Sequence, residues 1–527
     1  MTDSVDAAAV HRLLPAQPLV LALGEPTHGE DVLLEVRNDL FRQLVEASPY
    51  PAPFRTIAVE SDCLKALVVD DYVTGGPGTL DDVMTAGFSH GWGTAAPNRD
   101  LVAWIRAHNT GRPLPDRIRF AGLDGPLELT TGPAAPREAV TTLHTLLAAA
   151  VPTDLLPCTA TELDELLGDD TRWTDQAAIM DPTRSIGRTP DAARLRLLCD
   201  DLVALLDAHA PALVATATRD GWDRARLYAR TATGLLRYHH WMADTTPARL
   251  THLVALRGAI LAGNLLALTE RGPALVHAHN AHLQRDQSSM QLGGHHLTWW
   301  STGAIIEAHL GATSNRIRPS AHHDADGERP GRPSLPGTAD DAANLGTTRD
   351  LVEQPSSIAA PSDPPAPGAA TNPPSNPSGN PPAPGAARNL PSNMIAPGAA
   401  GNPAQLGVAG GRAASADHLG RTRAEAADDR VTQPGPSGYA FLFTALGTIH
   451  HHGVGTPPAD TVEGHLYAQP GDRCVTAPRT LLDAFGGTPP AARVSAWFGY
   501  APLDPAHLPN YDGVVFIKDS PPAAPGE

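Results

Sequence analysis

The sequence predicts an α/β protein with a largely parallel central sheet, flanking helices, an inserted helical subdomain and a long disordered insertion. Two observations predict this fold. Short apolar runs alternate with segments of helical periodicity in the first third of the chain, which is typical of βα units. Two further apolar runs lie beyond a long tract rich in Pro, Gly and Ala. Because those runs are needed to complete the sheet, we expect the tract to interrupt one domain rather than to separate two.

Six apolar runs are predicted to be the strands of this sheet. They are Leu19–Gly24, Thr56–Val59, Ile118–Leu123, Ala274–Ala278, Tyr439–Gly447 and Gly513–Lys518. After the first run, the apolar residues of Asp31–Glu46 recur at three- and four-residue spacing, as on one face of a helix. A second helix is predicted at about Ala248–Thr269, directly before the fourth strand.

Between these elements the pattern becomes helical throughout. Leu195, Leu198 and Leu202 belong to one helical stripe of leucines, and further stripes follow it. We therefore predict a helical subdomain over residues 136–247, inserted in or laid over one interrupted domain that comprises residues 1–310 and 439–527.

Residues 311–438 are predicted to be the disordered insertion. No aromatic residue occurs between Trp300 and Tyr439, and residues 351–410 hold 14 prolines. Such a composition buries too little apolar surface to offset the entropy of ordering the chain. The insertion carries a net charge of -2 out of -18, so the acidic charge belongs to the folded part. We expect a chain without the insertion to fold and turn over substrate much as the full chain does.

Composition excludes several classes of protein. An excess of 57 acidic over 39 basic residues disfavours a nucleic-acid-binding protein, which needs a clustered basic face. The four cysteines lie far apart and indicate neither a disulfide framework nor a cysteine zinc site. No apolar segment is expected to span a membrane. These features predict a cytoplasmic protein that acts on a small-molecule substrate without cofactor or metal. Clustered histidines leave metal binding as the minor alternative, and the oligomeric state is not predicted.

Ionisable side chains follow four of the predicted strands, at the point where each strand ends. They are Glu25 and His28, Glu60, Asp124, and His279 with His282. Because the carboxyl ends of parallel strands share one edge of a sheet, where ligands bind, we expect one site there. Taken singly, Glu25 or Asp124 could instead cap a helix, and His279 could be a buried, hydrogen-bonded core histidine.

His28 is the candidate general base. It precedes the Asp31–Glu46 helix, whose positive end disfavours an imidazolium ion, so we expect a neutral imidazole that accepts a proton. Glu25 or Glu60 could hold the other ring N–H. Arg37 and Arg285 are candidates to stabilise an oxyanion, with a solvated arginine as the alternative. The absence of a Gly-x-Ser-x-Gly motif disfavours the usual serine hydrolase.

Several motifs follow one another along the sequence: Leu21-Ala-Leu-Gly-Glu25-Pro-Thr-His28-Gly29, Glu35-Val-Arg37 with Leu40-Phe41-Arg42, Ala58-Val-Glu60, Gly122-Leu-Asp124-Gly125, Arg257 with Asn264, His277-Ala-His279-Asn280-Ala-His282, and the closing run from Asn510. In order and spacing they resemble the erythromycin esterase family. The resemblance implies hydrolysis of a macrolactone ester by water activated on a histidine, without a covalent intermediate.

Carried over to this sequence, the resemblance makes His28 the base and makes Glu25 and Glu60 its orienting carboxylates. His279 and His282 would line the pocket and polarise the ester carbonyl. The remaining predicted substrate-binding residues are Arg257, Arg37, Arg285 and Asp124. Two alternatives stay open: the same fold acting on an ester of an endogenous metabolite, and a non-catalytic protein that binds a small molecule.

Overall fold

The structure is a computed structural model that describes residues 4–128, 132–292, 294–317, 438–449, 452–486, 489–495 and 499–520. Its main feature is a seven-stranded sheet. Neighbouring strands of this sheet are parallel except for one pair at an edge. The predicted α/β class with a largely parallel sheet is therefore confirmed.

The strands are β1 Val20–Glu25, β2 Thr56–Asp62, β3 Arg119–Asp124, β4 Leu127–Glu128, β5 Gly132–Pro133, β6 Ala274–His279, β7 Gln287–Leu292, β8 His295–Trp300, β9 Tyr439–Ile449, β10 Arg473–Thr476 and β11 Gly513–Ser520. The strand order in the main sheet is β10-β11-β9-β1-β6-β2-β3, and β10 with β11 is the antiparallel pair. All six predicted strands lie in this sheet. Sequence analysis missed β10, a four-residue edge strand too short to form an apolar run. It also missed two small antiparallel sheets, β4 with β5 and β7 with β8.

The helices are α1 Ala7–Leu13, α2 Asp31–Glu46, α3 Ala66–Val73, α4 Leu80–Ala86, α5 Ala96–Asn109, α6 Arg137–Ala148, α7 Ala160–Leu167, α8 Pro190–Ala208, α9 Ala210–Thr216, α10 Arg219–Met242, α11 Arg249–Thr269, α12 Asn280–Leu283, α13 Thr302–Ile317, α14 Val462–Tyr467 and α15 Pro478–Ala484. The two helices predicted beside the sheet are α2 and α11. Helices α6 to α10 fall within the range predicted to be a helical subdomain.

Both faces of the sheet are covered by helices. Leu21 and Leu23 of β1 pack in one core cluster with α2, α3 and α5. Val20 and Ala22, on the opposite face, pack in a second cluster with α11 and α13. Burial on both faces explains why the strands read as nearly continuous apolar runs. A third cluster joins α6, α7, α8 and α10, and it includes the predicted stripe on α8.

The predicted insertion lies outside the described residues except at its two ends. Helix α13 continues to Ile317, past the predicted boundary at 311. Gly311 lies within the helix, because a helical glycine costs only about 1 kcal/mol relative to alanine and does not by itself end a helix.

Helix α11 alone among the described residues has the length and composition to cross a membrane. Sequence analysis did not expect a segment of this kind. The helix packs against α10, α13 and β3. Its Arg257 and Asn264 side chains form hydrogen bonds to Asp124 and to the Leu123 carbonyl inside the domain. We therefore interpret α11 as a core helix, and the cytoplasmic location stays a prediction.

Candidate active site

Four neighbouring strands bring the predicted site residues to one edge of the sheet. Glu25, Asp124 and His279 are the last residues of β1, β3 and β6, and Glu60 lies near the end of β2. In the β1–β6 pair, Glu25 is in register with His279. The structure thus assembles the side chains that the sequence placed at four separate strand ends, while their catalytic roles stay predictions.

The turn from β1 into α2 positions His28 above this edge. Gly29 has a φ of +88°, a left-handed conformation that favours glycine, and it lets the chain turn into the helix directly after His28. The His28 Nδ1 atom lies 2.5 Å from Oε1 of Glu25, and its Nε2 atom lies 3.8 Å from Oε1 of Glu60. Since 44 % of the His28 side chain is exposed, its ring lies between two buried carboxylates and the open edge.

The two carboxylates decide the charge of His28. Desolvation would lower the pKa of His28, but Glu60 and Glu25 together raise it to about 9. The prediction of a neutral imidazole at neutral pH is therefore wrong. The helix dipole was the wrong basis for that prediction, because its effect is about 1 kcal/mol or less at an exposed site and two adjacent carboxylates exceed it.

Glu25 contacts a second histidine, His277, which sequence analysis quoted only as part of a motif. Oε2 of Glu25 lies 3.0 Å from Nε2 of His277. Burial alone would raise the pKa of Glu25, but His277 and His28 hold it well below its usual range. The alternation of a strand contained the signal for this residue, because His277 and His279 are two positions apart on β6 and share one face.

Arg257 of α11 joins the carboxylates of two strands. Its Nη2 atom lies 2.9 Å from Oε1 of Glu60 and 2.6 Å from Oδ2 of Asp124. The Nε2 atom of His282 lies 3.1 Å from the same Glu60 oxygen. Burial would raise the pKa of Glu60, but His282, His28 and Arg257 hold it well below its usual range. Glu60, like Glu25, therefore stays ionised at neutral pH.

His279 has the opposite character from His28. Burial, and then the neighbouring His28, lowers the pKa of His279 to about 4, so its ring is neutral at neutral pH. The backbone N–H of Ala281 donates to Nδ1 at 3.3 Å, which places the ring proton on Nε2. The two histidine rings lie 5.3 Å apart, centroid to centroid. Two unlike imidazoles thus lie side by side at this edge. His28 has a raised pKa, whereas His279 is neutral and can donate a hydrogen bond from Nε2.

A close approach behind these rings requires a glycine at position 24. A Cβ atom on Gly24 would lie 2.0 Å from the side-chain oxygen of Asn280. That side chain donates to the Thr444 carbonyl at 2.8 Å and accepts from the Thr444 N–H at 3.3 Å. Asn280 thereby fixes the end of β6, and with it His279, against β9.

Of the other two arginines predicted to bind substrate, Arg37 lies near enough to Glu25 for that carboxylate to favour its charged form, whereas Arg285 lies away from this edge. Arg37 is fully buried, and its guanidinium donates to Asn38 and to Asn98 at 2.8 Å. Arg285 lies at the opposite end of the sheet, where it contacts Asp512 at 2.7 Å and the carbonyl of Tyr439, the first residue of β9. Its side chain is held by backbone and carboxylate groups at the amino ends of β9 and β11.

A loop between α4 and α5 adds two residues that sequence analysis missed. The Trp92 ring packs edge-on against His28 at 5.4 Å, and His90 lies 6.0 Å from Trp92, centroid to centroid. The His90 Nε2 atom lies 3.8 Å from Oδ2 of Asp124. Among the described residues His90 is the only non-glycine residue with a positive φ, at 57°. Such backbone strain is commonest at functional sites, but a loop without periodicity gave no sequence signal.

Within the described part of the chain, no group of three or more His, Cys, Asp or Glu residues could hold a metal ion. The site does contain histidines next to carboxylates, yet each is engaged with another side chain or with the backbone. The absence of a metal and of a cofactor stays a prediction.

Buried carboxylates and imidazoles at the carboxyl edge of a parallel sheet define an α/β enzyme suited to acid–base chemistry. The chain belongs to the erythromycin esterase family: a family model described as erythromycin esterase matches residues 52–317. That range includes Glu60, Arg257 and His279, but it begins at residue 52 and therefore does not include His28. Membership of this family supports a hydrolase.

Three solved structures are similar to the chain at low identity. A protein from Bacillus cereus is 18% identical, with a TM-score of 0.43 over 58% of this chain and 68% of that chain. A mutant of the erythromycin esterase EreC in its open conformation is 19% identical, with a TM-score of 0.39 over 56% and 67%. A succinoglycan biosynthesis protein is 16% identical, with a TM-score of 0.42 over 59% and 70%. No curated protein matches the chain.

Proposed function

We propose that the protein hydrolyses a carboxylic ester, the macrolactone of a macrolide antibiotic or a similar large lactone, with His28 as the general base. The observation that carries the proposal is the pair of unlike histidines. His28 has its Nδ1 proton directed at Glu25, and a neutral His279 lies beside it with a proton on Nε2. A base and a donor at this spacing suit the attack of water on a carbonyl.

The steps balance without a covalent enzyme intermediate. Neutral His28 takes a proton from water at Nε2 while the water oxygen attacks the ester carbon. The resulting oxyanion accepts a hydrogen bond from the Nε2–H group of His279. His279 is neutral because burial lowers its pKa to about 4. His28 then gives its proton to the departing alkoxide, and the products are a carboxylic acid and an alcohol.

Glu25 and Glu60 orient His28, but they also reduce the fraction of His28 that is in the basic form at neutral pH. The carboxylate of Glu25 fixes the ring by accepting from Nδ1, and both carboxylates stabilise the imidazolium that forms during catalysis. Because they raise the pKa of His28 to about 9, only about 1 % of His28 is in the basic form at pH 7. Activity is therefore expected to increase above neutral pH.

The test is to incubate the purified protein with a panel of macrolides and to follow the mass gain of one water. We expect turnover by the wild type and a loss of about 10²- to 10⁴-fold in His28→Asn. His296→Asn is the matched control, since His296 is an exposed histidine of β8. Equal turnover in wild type and His28→Asn would exclude His28 as the base.

A cellular readout extends the same test to resistance. Expression in a macrolide-sensitive host should raise the inhibitory concentration of each compound that gains water in vitro, and His28→Asn should abolish this protection. If no macrolide is turned over, depletion of a metabolite from cell extracts by the wild type but not by His28→Asn would instead support an endogenous ester as substrate.

A further inference from the structure

A separate cavity of about 90 Å³ lies at the free edge of the sheet, between β3 and helices α3, α10 and α11. None of the candidate active-site residues lines it. Leu67, Phe120 and Leu227 contribute apolar surface, and several arginines contribute guanidinium groups. Since one water needs on the order of 10–15 Å³ of such space, a ligand of a few heavy atoms fits.

Arg230 of α10 differs from the other arginines around this cavity. The others form ion pairs with carboxylates: Arg119 with Asp70 and Asp220, Arg224 with Asp71, Arg226 with Glu270, and Arg271 with Asp220 and Asp223. Arg230 forms no ion pair within the described residues. Its Nε donates to the side-chain oxygen of Asn264 at 3.1 Å, which leaves its two terminal nitrogens for another partner.

Within the described residues no carboxylate contacts Arg230, although Glu270 and Asp223 lie near enough to favour its charged form. Burial, and then the nearby Arg226, lowers the pKa of Arg230 to about 10, so the guanidinium is still charged at neutral pH. Cys63 lines the same cavity, but burial raises the pKa of its thiol to about 12, so it carries no negative charge. A partly buried cation whose terminal nitrogens contact no carboxylate is costly, and a bound anion would reduce that cost.

We propose that this cavity binds a small monocarboxylate with a short apolar chain. Its carboxylate pairs with the two terminal nitrogens of Arg230, a planar fork that matches a carboxylate in two parallel hydrogen bonds. Its chain lies against Leu67 and Leu227. A monoanion is favoured over a dianion such as phosphate, because Asp70 and Asp220 line the same cavity and would repel a second negative charge.

The experiment is isothermal titration calorimetry, which measures the binding of butyrate to the full chain at pH 7 and low ionic strength. Phosphate and chloride are titrated in parallel. We expect saturable binding of butyrate by the wild type and at least about tenfold weaker binding by Arg230→Gln. Arg224→Gln is the matched control and should bind butyrate like the wild type, since Arg224 lines the cavity but is paired with Asp71.

A wild type without saturable binding, or an Arg230→Gln variant that binds butyrate equally well, would overturn the site. Tighter binding of phosphate or chloride than of butyrate would overturn the assignment to a carboxylate. If Arg230→Gln does not fold, Arg230→Lys keeps the charge and loses the fork. Weaker butyrate binding by this second variant supports the proposal, and unchanged binding contradicts it.

Discussion

Glu25 of β1 and His277 of β6 form a buried contact between a carboxylate and an imidazole. The Nδ1 atom of His277 lies 3.1 Å from the carbonyl oxygen of Leu23, which can only accept, so Nδ1 carries a proton. Its Nε2 atom lies 3.0 Å from Oε2 of Glu25, an ionised carboxylate that also only accepts. His277 is only 1 % exposed, so this contact between carboxylate and imidazole is shielded from solvent.

We expect His277→Gln to destabilise the protein by about 3–5 kcal/mol, because it removes the buried partner of a buried charge. Urea unfolding at pH 7 measures this change. His144→Gln is the control: His144 is also buried, but it contacts only the carbonyl of Cys158, so about 1–3 kcal/mol is expected. A smaller loss for His277→Gln than for His144→Gln would contradict a role of His277 in stabilising the buried Glu25 carboxylate.

The pH dependence of turnover should report the raised pKa of His28. A base must be deprotonated, so kcat/KM is expected to increase tenfold per pH unit through neutrality and to level off near pH 9. Initial rates between pH 6 and 10 at constant ionic strength, on a macrolide that the wild type hydrolyses, provide the profile. A rate that falls through the same range would mean that the imidazolium is the active form.

Removing one carboxylate should shift that profile toward lower pH. Glu60→Gln takes away the negative charge 3.8 Å from Nε2 of His28, so the plateau should begin at a lower pH than in the wild type. Glu35→Gln is the control, because Glu35 is exposed on α2 and pairs with Arg473. An unmoved profile in Glu60→Gln would show that Glu60 does not set the pKa of His28.

The sequence was sufficient for six of the seven strands of the main sheet and for the residues at the strand ends, because both follow from local periodicity. It was not sufficient for the charge of His28, which depends on the distance from Glu60 across another strand. Nor did it predict that Arg285, only three residues after His282, lies at the opposite end of the sheet. The chain turns back along the sheet through α12, and nothing in the local pattern indicates this path. Trp92 was missed because a loop residue is placed only by tertiary packing.

Arg257 should stabilise the protein more at neutral than at acidic pH. Arg257→Met would leave Glu60 and Asp124 as adjacent buried carboxylates without their shared cation, at a cost of about 3–5 kcal/mol at pH 7. Arg257 helps to depress the pKa of Glu60, so its contribution is present above the pKa of an unfolded glutamate and is lost as the pH falls.

The difference in unfolding free energy between wild type and Arg257→Met should therefore be full at pH 7 and smaller at about pH 3.5, below the pKa of about 4.3 of an unfolded glutamate. Urea unfolding at the two pH values measures it. Arg257→Lys keeps the charge and should recover part of the stability at pH 7. A difference that stays constant with pH would mean that Arg257 acts through packing of its side chain rather than through the carboxylates.

Trp92 should position the His28 ring rather than support the fold. It contacts the His28 ring edge-on, with 5.4 Å between the ring centroids, and 44 % of the His28 side chain is exposed. An aromatic contact of this kind contributes about 0.5–1.5 kcal/mol, so Trp92→Ala should lower kcat/KM by about two- to tenfold, and Trp92→Phe should restore most of it.

Trp104→Ala is the matched control, because Trp104 packs against Phe41 with similar geometry, outside the site. We expect this control to lose stability on urea unfolding while keeping kcat/KM. If both alanine variants lose activity only in proportion to their loss of folded protein, Trp92 has no role beyond packing.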